Sequence, residues 1–198
     1  LTAPNGSAQR TLLVGALGRA SLSAGDVGRV EAHGTGTSLG DPTEAGALVA
    51  VHGVSERSVP LVAGAAKASV GHSEAASGQV GLVRLRQVLE GGASCGNAHL
   101  RSLNPLVGER LGSRSVSFVL PTQAVASRLA SGVSSFGYSG TIAHAVLSSS
   151  GVAGAACVVS AMGAATGAIA YRRRAFSWNG RVGAAGAELT RMYALCWA

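Results

Sequence analysis

The chain has 198 residues, of which 47% are hydrophobic, enough to form one domain around its own core. Its three cysteines, Cys95, Cys157 and Cys196, are far apart and include no C-x-x-C pair, so neither a disulfide framework nor a metal site is predicted. The formal charge is +7, and a run of arginines at 172–174 makes the C-terminal part basic. A single run of this kind is typical of a solvated segment, so we expect no nucleic-acid binding.

The N-terminus shows no charged segment followed by an apolar run, so no secretory signal is predicted. Because the first residue is Leu1 rather than Met, we expect the chain to be an excerpt of a longer protein. Its cysteine usage predicts an intracellular location, in the cytoplasm or a plastid. The uncharged stretch 148–170 consists mostly of small residues and is interpreted as a flexible linker, not as a membrane span.

Three elements are predicted in the first third of the chain. A helix is expected over 7–19, and a short strand over 28–32 leads into a segment rich in glycine and threonine. The next helix, over 41–53, has the clearest start, because its opening sequence DPTE fits a capping box with Asp41 as N-cap and Glu44 at the third position. Both carboxylates are therefore interpreted as capping groups, not as catalysts.

The next part of the chain alternates between strand and helix patterns. A buried strand is expected over 61–66, directly before Lys67, which is the only lysine. The segment 74–90 is apolar on more than one side and is predicted to be a helix that needs burial nearly all round. Three further strands are expected over 116–120, 132–136 and 141–147.

Two local glycine patterns occur between 34 and 40. The sequence GTSLG matches the G-x-S-x-G elbow of serine hydrolases, which would make Ser38 a nucleophile, and this is kept as a remote alternative. An elbow requires several strands before it, whereas only about thirty residues precede this one. The same glycines are one residue off a dinucleotide fingerprint, but Asp41 and Glu44 would repel a phosphate at the start of the following helix.

Four segments far apart in the chain form a more specific pattern: EAHGTGT (31–37), GDPTEAGAL (40–48), KASVGHSEAASG (67–78) and SSFGYSGTIAHAVL (134–147). Together they resemble the β-ketoacyl synthases of fatty-acid and polyketide assembly, members of the thiolase-like superfamily. The resemblance covers 1–148 and implies the C-terminal half of a layered α/β/α/β/α fold, with 149–198 as a Gly/Ala-rich and then basic linker or tail. The stretch AYRRRAFSWNG (170–180) is similar to linkers that follow polyketide synthase domains, which favours polyketide over fatty-acid assembly.

The resemblance implies a decarboxylative condensation between an acyl thioester and a malonyl-type thioester. The substrate would be held on the phosphopantetheine of an acyl carrier protein, and no cofactor would be bound covalently to the chain. His33 and His72 take the positions of the two histidines that assist decarboxylation and carbon–carbon bond formation, and neutral imidazole N–H groups suit a developing oxyanion. Lys67 and Glu74 flank His72 and are expected to support it through an ion pair near the ring.

The same resemblance assigns the substrate-binding residues. Thr35 and Thr37 would contact the amides of the pantetheine arm, because alternation in an extended segment places both on one face. Phe136 and Tyr138 match the aromatic residues that gate the acyl pocket. The loop departs from the family pattern at three positions: Tyr138 for Phe, Ser139 for Gly and Ile142 for Asn.

The family's nucleophile, a cysteine in a Ser-rich elbow of the N-terminal half, has no counterpart in this chain. Cys95 follows a predicted helix, whereas an activated thiol needs a helix N-terminus or a neighbouring base. We therefore expect the chain to be inactive alone, to need its missing N-terminal half, and to form a homodimer when complete. A ketosynthase remnant that serves as an interaction or scaffold module is the alternative. His52, His99 and His144 are interpreted as structural or surface residues.

Overall fold

The computed structural model describes residues 3–53, 57–126, 130–148, 172–176 and 192–196. The helices and strands in chain order are α1 (Gly6–Ala20), β1 (Val27–Glu31), α2 (Gly40–His52), β2 (Leu61–Gly64), α3 (Lys67–Val70), α4 (Ser77–Gly91), β3 (Ala93–Ser94), α5 (Pro105–Leu111), β4 (Phe118–Val119), β5 (Val125–Ala126), β6 (Ala130–Phe136), β7 (Ile142–Leu147), β8 (Arg172–Phe176) and β9 (Met192–Cys196). Single turns of 3₁₀-helix occur at Ala24–Asp26, Glu74–Ala76 and Gly112–Ser117.

The chain divides into two units, Leu1–Val152 and Ala153–Ala198. In the second unit β8 and β9 form an antiparallel pair, within the segment expected to be a linker or tail. The remainder of that predicted linker, including 149–171, lies outside the described residues. Within the described ranges, no helix is both long and apolar enough to cross a membrane.

The first unit is built on a five-stranded sheet with the order β4-β2-β1-β6-β7. The first four of these strands are parallel, and β7 pairs antiparallel with β6. Carboxyl ends of parallel strands lie at the same edge of a sheet, where α/β proteins place their ligand sites. The segments that follow β1 and β2 and the end of β6 therefore meet at one edge.

One face of this sheet carries the apolar core. It is formed with α1, α2 and α5, whose buried side chains pack on β1, β2 and β4. The members of the core are Leu13, Leu17, Val27, Val30, Ala47, Leu48, Val51, Leu61, Val107, Leu111 and Phe118. Because side chains alternate along a strand, the neighbours of Val30 face the opposite side, where Gly81 of α4 lies close to Glu31 and Val133.

That opposite side of the sheet contains a buried charged cluster, which the sequence analysis did not identify. Arg29 and Glu31 are 0% and 1% exposed, and Arg29 Nη2 donates to Glu31 Oε2 at 3.0 Å. Arg84 Nε lies 3.8 Å from the same oxygen, and Glu31 Oε1 accepts the N–H of Ala66. Burial lowers the pKa of Arg29. Within the described part of the chain, Arg29 Nε and Nη1 and Arg84 Nη1 are buried without a hydrogen-bond partner.

We expect the Glu31→Ala variant to be strongly destabilised, because it leaves two buried guanidinium groups without a carboxylate. Removing one partner of a buried ion pair costs about 3–5 kcal/mol. Arg29→Met should cost less, since Glu31 keeps Arg84 and the amide of Ala66. Urea unfolding measures both free energies, and equal losses in the two variants would contradict this account of the cluster.

The predicted elements are largely confirmed, with corrections at their ends. The helix at 7–19 is α1, but its N-cap is Asn5, whose side chain accepts the N–H of Ala8. The helix expected over 74–90 is a 3₁₀ turn followed by α4, and it leaves Leu82 and Val83 43% and 57% exposed. The short elements α3, α5, β3 and β5 were not predicted. A few residues give too little periodicity to distinguish them from a loop.

Candidate active site

A cavity of about 790 Å³ lies at the edge of the sheet where β1, β2 and β6 end. It collects seven of the eight predicted site residues: His33, Thr35, Thr37, His72, Glu74, Phe136 and Tyr138. Lys67 lines a second cavity of about 500 Å³, to which Thr35 and His72 also belong. Residues from four separate segments of the chain thus meet at one place, because the parallel strands end at the same edge of the sheet.

The loop after β1 is held by two carboxylates of α2. Glu44 is 6% exposed, and its two oxygens accept the N–H groups of His33 and Gly34 at 2.8 and 2.9 Å. Asp41 Oδ1 accepts the N–H groups of Gly36 and Thr37 at 3.1 and 3.4 Å. Burial raises the pKa of Glu44 to about 7, and the two backbone donors oppose that shift.

The predicted capping box is therefore wrong. Helix α2 begins at Gly40, and its N-cap is Leu39, which makes no side-chain cap hydrogen bond. Asp41 and Glu44 reach back to the preceding loop because its glycines allow a sharp path: Gly34 and Gly36 have φ angles of +46° and +77°. A sequence signal for Glu44 did exist. It shares a buried helix face with Ala47, Leu48 and Val51, and a carboxylate on such a face needs a specific partner.

His33 has one ring nitrogen committed to the protein. Its Nδ1 accepts the backbone N–H of Phe136 at 3.2 Å, and its ring centroid lies 5.3 Å from that of Phe136. A nitrogen that accepts a hydrogen bond carries no proton, so the neutral ring has its proton on Nε2. Burial lowers the pKa of His33 to about 4, helped by the charge of Lys67 and then by His72. The ring is therefore a neutral N–H donor near pH 7.

Lys67 and Glu74 contact different histidines. The Lys67 ammonium donates to the backbone oxygen of His33 at 2.5 Å, and burial lowers its pKa against the opposing charges of Glu44, Glu31 and Asp41. Glu74 Oε2 lies 3.9 Å from His72 Nε2, with the Glu74 side chain 88% exposed. The ion pair expected near His72 thus involves Glu74 alone, whereas Lys67 holds the His33 loop. Local sequence spacing does not reveal this contact. Lys67 and His33 are far apart in the sequence, and the pairing of β1 with β2 brings them together.

The two histidines lie beside each other in the cavity. Their ring centroids are 5.8 Å apart and their planes are perpendicular. His72 Nδ1 lies 2.8 Å from the hydroxyl of Ser77, at the start of α4. Two imidazoles, one from the loop after β1 and one from the loop after α3, can therefore face one bound group in the cavity.

The polar and aromatic residues at the cavity follow the predicted grouping. Thr35 Oγ1 and Thr37 Oγ1 are 3.3 Å apart, and Thr37 Oγ1 also accepts the N–H of Gly40 at 3.1 Å. Phe136 ends β6 and pairs with Ile142 of β7, and between them the loop is closed by a hydrogen bond from the Gly137 N–H to the Thr141 oxygen. Tyr138, in that loop, is 83% exposed.

Two of the other histidines have structural contacts. His52 Nδ1 lies 3.3 Å from the Ala24 oxygen, and His144 Nδ1 lies 2.9 Å from Ser134 Oγ. Burial lowers the pKa of each ring to about 4. At His52 the bond to the Ala24 oxygen opposes this shift, and the charge of Arg57 adds to it. At His144 the charge of His52 adds to the shift.

These pKa shifts predict that the chain loses stability as the pH falls from about 6.5 to about 4. His33, His52 and His144 take up protons in the unfolded chain before the folded one, so each lowers stability in this window. The raised pKa of Glu44 has the opposite effect, because it lowers stability as the pH rises from 4.5 to about 7. The three histidines together outweigh this single carboxylate. His52 is 1% exposed and contributes about 3 kcal/mol at most. His52→Gln should reduce the pH dependence of the urea midpoint, and an unchanged slope would contradict the assignment.

A comparison with protein families identifies the first part of the chain. The family model for the beta-ketoacyl synthase, C-terminal domain, matches residues 1–101. The chain belongs to this family. Polyketide synthases are also similar to it in sequence. It is 42% identical over 149 residues to a type I polyketide synthase for phenolphthiocerol synthesis from Mycobacterium bovis, and 40% identical over 148 residues to an erythronolide synthase from Saccharopolyspora erythraea.

The solved structures of ketosynthases agree with this assignment. An oxazolomycin ketosynthase domain from Streptomyces albus matches with a TM-score of 0.66 and 32% identity, and a bacillaene ketosynthase from Bacillus amyloliquefaciens with 0.66 and 27%. Each match covers 73% of this chain, and the predicted thiolase-like α/β fold is confirmed. The chain spans 26% of each solved ketosynthase chain. The matches to the two polyketide synthases cover 74% of this chain. They cover 7% of the Mycobacterium bovis protein and 4% of the Saccharopolyspora erythraea protein.

The structure also locates the two other candidate nucleophiles, Ser38 and Cys95. Strand β1 ends at Glu31, five residues before Gly36, so Ser38 does not lie on the sharp strand-to-helix turn of a hydrolase elbow. Cys95 is exposed and lines neither of the two cavities. Ser38 thus lines the cavity of His33 and His72 without the geometry of a hydrolase elbow, and Cys95 lies outside that cavity.

Proposed function

We propose that the complete protein catalyses a decarboxylative condensation of an acyl thioester with a malonyl-type thioester in polyketide chain elongation. The observation that carries the proposal is the pair of adjacent imidazoles in one cavity, His33 and His72, of which His33 is a neutral donor. A reaction that develops negative charge on a thioester oxygen needs fixed donors that stay protonated at neutral pH. The polyketide synthases among the relatives favour polyketide over fatty-acid assembly.

The proposed chemistry has two steps. In the first, the bond between the malonyl carbon and its carboxylate breaks, carbon dioxide leaves, and the electron pair forms an enolate. His33 and His72 donate hydrogen bonds to the enolate oxygen. In the second, the enolate carbon attacks the carbonyl carbon of an acyl group on a cysteine, and the cysteine sulfur leaves with the electron pair. We assign that cysteine to the N-terminal half of the synthase, because the family's Ser-rich cysteine elbow has no counterpart in this sequence and Cys95 lies outside the cavity.

Lys67 and Glu74 support the two histidines in this proposal. Lys67 fixes the backbone of His33, and its charge adds to burial, the larger cause, in lowering the pKa of the ring, which keeps the imidazole neutral. Glu74 lies near His72 Nε2 and favours a proton on that nitrogen. Neither group needs to exchange a proton with the substrate, so both act through the histidines.

The substrate arm would reach the histidines along the threonines. In this proposal Thr35 and Thr37 bind the amides of the phosphopantetheine that an acyl carrier protein supplies. Phe136, against His33, and the exposed Tyr138 would gate the acyl pocket. The phenol of Tyr138 adds a polar group where the family pattern has Phe, so we expect the gate to accept a more polar acyl chain.

Thr35→Val in the complete synthase should raise KM for a malonyl carrier protein about 3- to 10-fold without changing kcat. This is the effect of losing a hydrogen bond that is equally strong in the bound substrate and in the transition state. Thr35 suits this test because its hydroxyl contacts only Thr37 among the described side chains. Thr11→Val, on the exposed side of α1, is the matched control and should leave KM unchanged. A loss confined to kcat would contradict a role for Thr35 in substrate binding.

We also propose that the N-terminal half covers α4 and that the complete domain forms a homodimer. The exposed Leu82 and Val83 then become buried. The isolated chain should self-associate through this apolar surface. The double variant Leu82→Glu, Val83→Lys should stay monomeric in analytical ultracentrifugation, whereas Val59→Lys, also at an exposed position, should behave like the wild type. A monodisperse wild-type monomer with a sharp melting transition would contradict the proposal.

A further inference from the structure

Ser77 is the first residue of α4 and is 6% exposed. Its hydroxyl oxygen lies 2.8 Å from Nδ1 of His72, and the ring of His72 reaches the cavity from there. A buried hydroxyl in direct contact with a proposed catalytic imidazole can determine which of its two nitrogens carries the proton.

The direction of this hydrogen bond follows from what surrounds it. If Ser77 accepted a proton from Nδ1, its own buried O–H would need another acceptor, and the described residues provide none for it. If Ser77 donates, the single contact satisfies both groups. On the other side of the ring, the carboxylate of Glu74 lies 3.9 Å from Nε2 and favours a proton there over a lone pair.

We propose that Ser77 is a positioning residue that donates to Nδ1 of His72 and holds the ring with Nε2–H directed into the cavity. The two histidines then have the same protonation pattern from different donors: a backbone N–H of Phe136 for His33 and a side-chain hydroxyl for His72. This inference rests on the proposed function, because Nε2–H is the group that would stabilise the enolate. It adds a residue on which one of the two donors depends.

The spectroscopic test uses the complete synthase labelled with ¹⁵N-histidine, in which solid-state NMR distinguishes protonated from unprotonated ring nitrogens. The spectrum of a His72→Gln variant identifies the His72 signals. In the wild type we expect one tautomer, with Nε2 protonated and Nδ1 hydrogen-bonded. In Ser77→Ala we expect both tautomers, and in Ser77→Thr a return to one. A Ser77→Ala spectrum identical to that of the wild type would overturn the proposal.

The kinetic test uses the same variants. Ser77→Ala should lower kcat for condensation by on the order of tenfold with KM unchanged, since it alters the donor and not the binding of substrate. Ser77→Thr should restore kcat. Ser73→Ala is the control, because Ser73 lies in the same turn and its side chain makes no cap hydrogen bond. An unchanged kcat in Ser77→Ala, or a loss that Thr does not restore, would overturn the proposal. If instead His72→Ala condenses at the wild-type rate, the proposed function fails, whatever the NMR result for Ser77.

Discussion

Replacing His33 by Ala in the complete synthase is expected to lower malonyl decarboxylation and condensation by about 10²- to 10³-fold, and His72→Ala should have a similar effect. This is the usual cost of removing one donor from a preorganised oxyanion site. His33 is well suited to the role because the Phe136 N–H and the buried position keep it neutral with the proton on Nε2. Because the two donors would act on one oxygen, the double variant should lose less than the product of the single losses.

The measurement is release of carbon dioxide from a malonyl carrier protein, together with mass spectrometry of the condensed product. His99→Ala is the control, because His99 is exposed and does not line the 790 Å³ cavity of His33, although it lines the second cavity with His72. It should retain wild-type rates of both steps. Wild-type rates in the His33 and His72 variants would contradict the proposed assignment.

The second large effect is expected at Glu44. Glu44→Ala leaves the partly buried N–H groups of His33 and Gly34 without this acceptor, and each unsatisfied group costs about 1–3 kcal/mol. The free energy of unfolding should therefore fall by about 2–6 kcal/mol. Because the same loop carries His33 and Thr35, the rate of condensation should fall with it.

Glu44→Gln separates the two contributions of this side chain. The amide keeps one acceptor oxygen but loses the second, so about half of the stability loss should remain. It also removes the group whose pKa is raised to about 7, so the loss of stability that Glu44 causes between pH 4.5 and 7 should disappear. Urea unfolding at several pH values measures both effects. Wild-type stability of Glu44→Ala would mean that the loop is held by other contacts.

The sequence was sufficient to predict the elements that carry the histidines. The run before His33 reads as a strand because it is short and followed by glycines, and the structure places β1 there, at the centre of the sheet. The apolar face of α2 and the extended stretches of β6 and β7 are equally clear. The four motifs in family order then placed the cavity residues in one fold, which no single motif could do.

Tertiary partners were harder to predict. Asp41 and Glu44 match a capping box, yet their acceptor oxygens are used by loop amides, and local spacing cannot distinguish the two uses. Arg29 and Glu31 lie in one strand, and only the structure shows that both side chains are buried and paired with each other. Lys67 reaches His33 across two paired strands, a contact between residues 34 positions apart.

The most direct test of the proposed function is to locate the acyl group on the enzyme. The whole protein in which this chain occurs is incubated with an acyl thioester, digested, and analysed by mass spectrometry. We predict an acyl thioester on a cysteine other than Cys95, Cys157 and Cys196, and none on Ser38. Acylation of Ser38 would support a hydrolase, and a protein that takes up no acyl group would support a scaffold role; either result would contradict the proposed condensation.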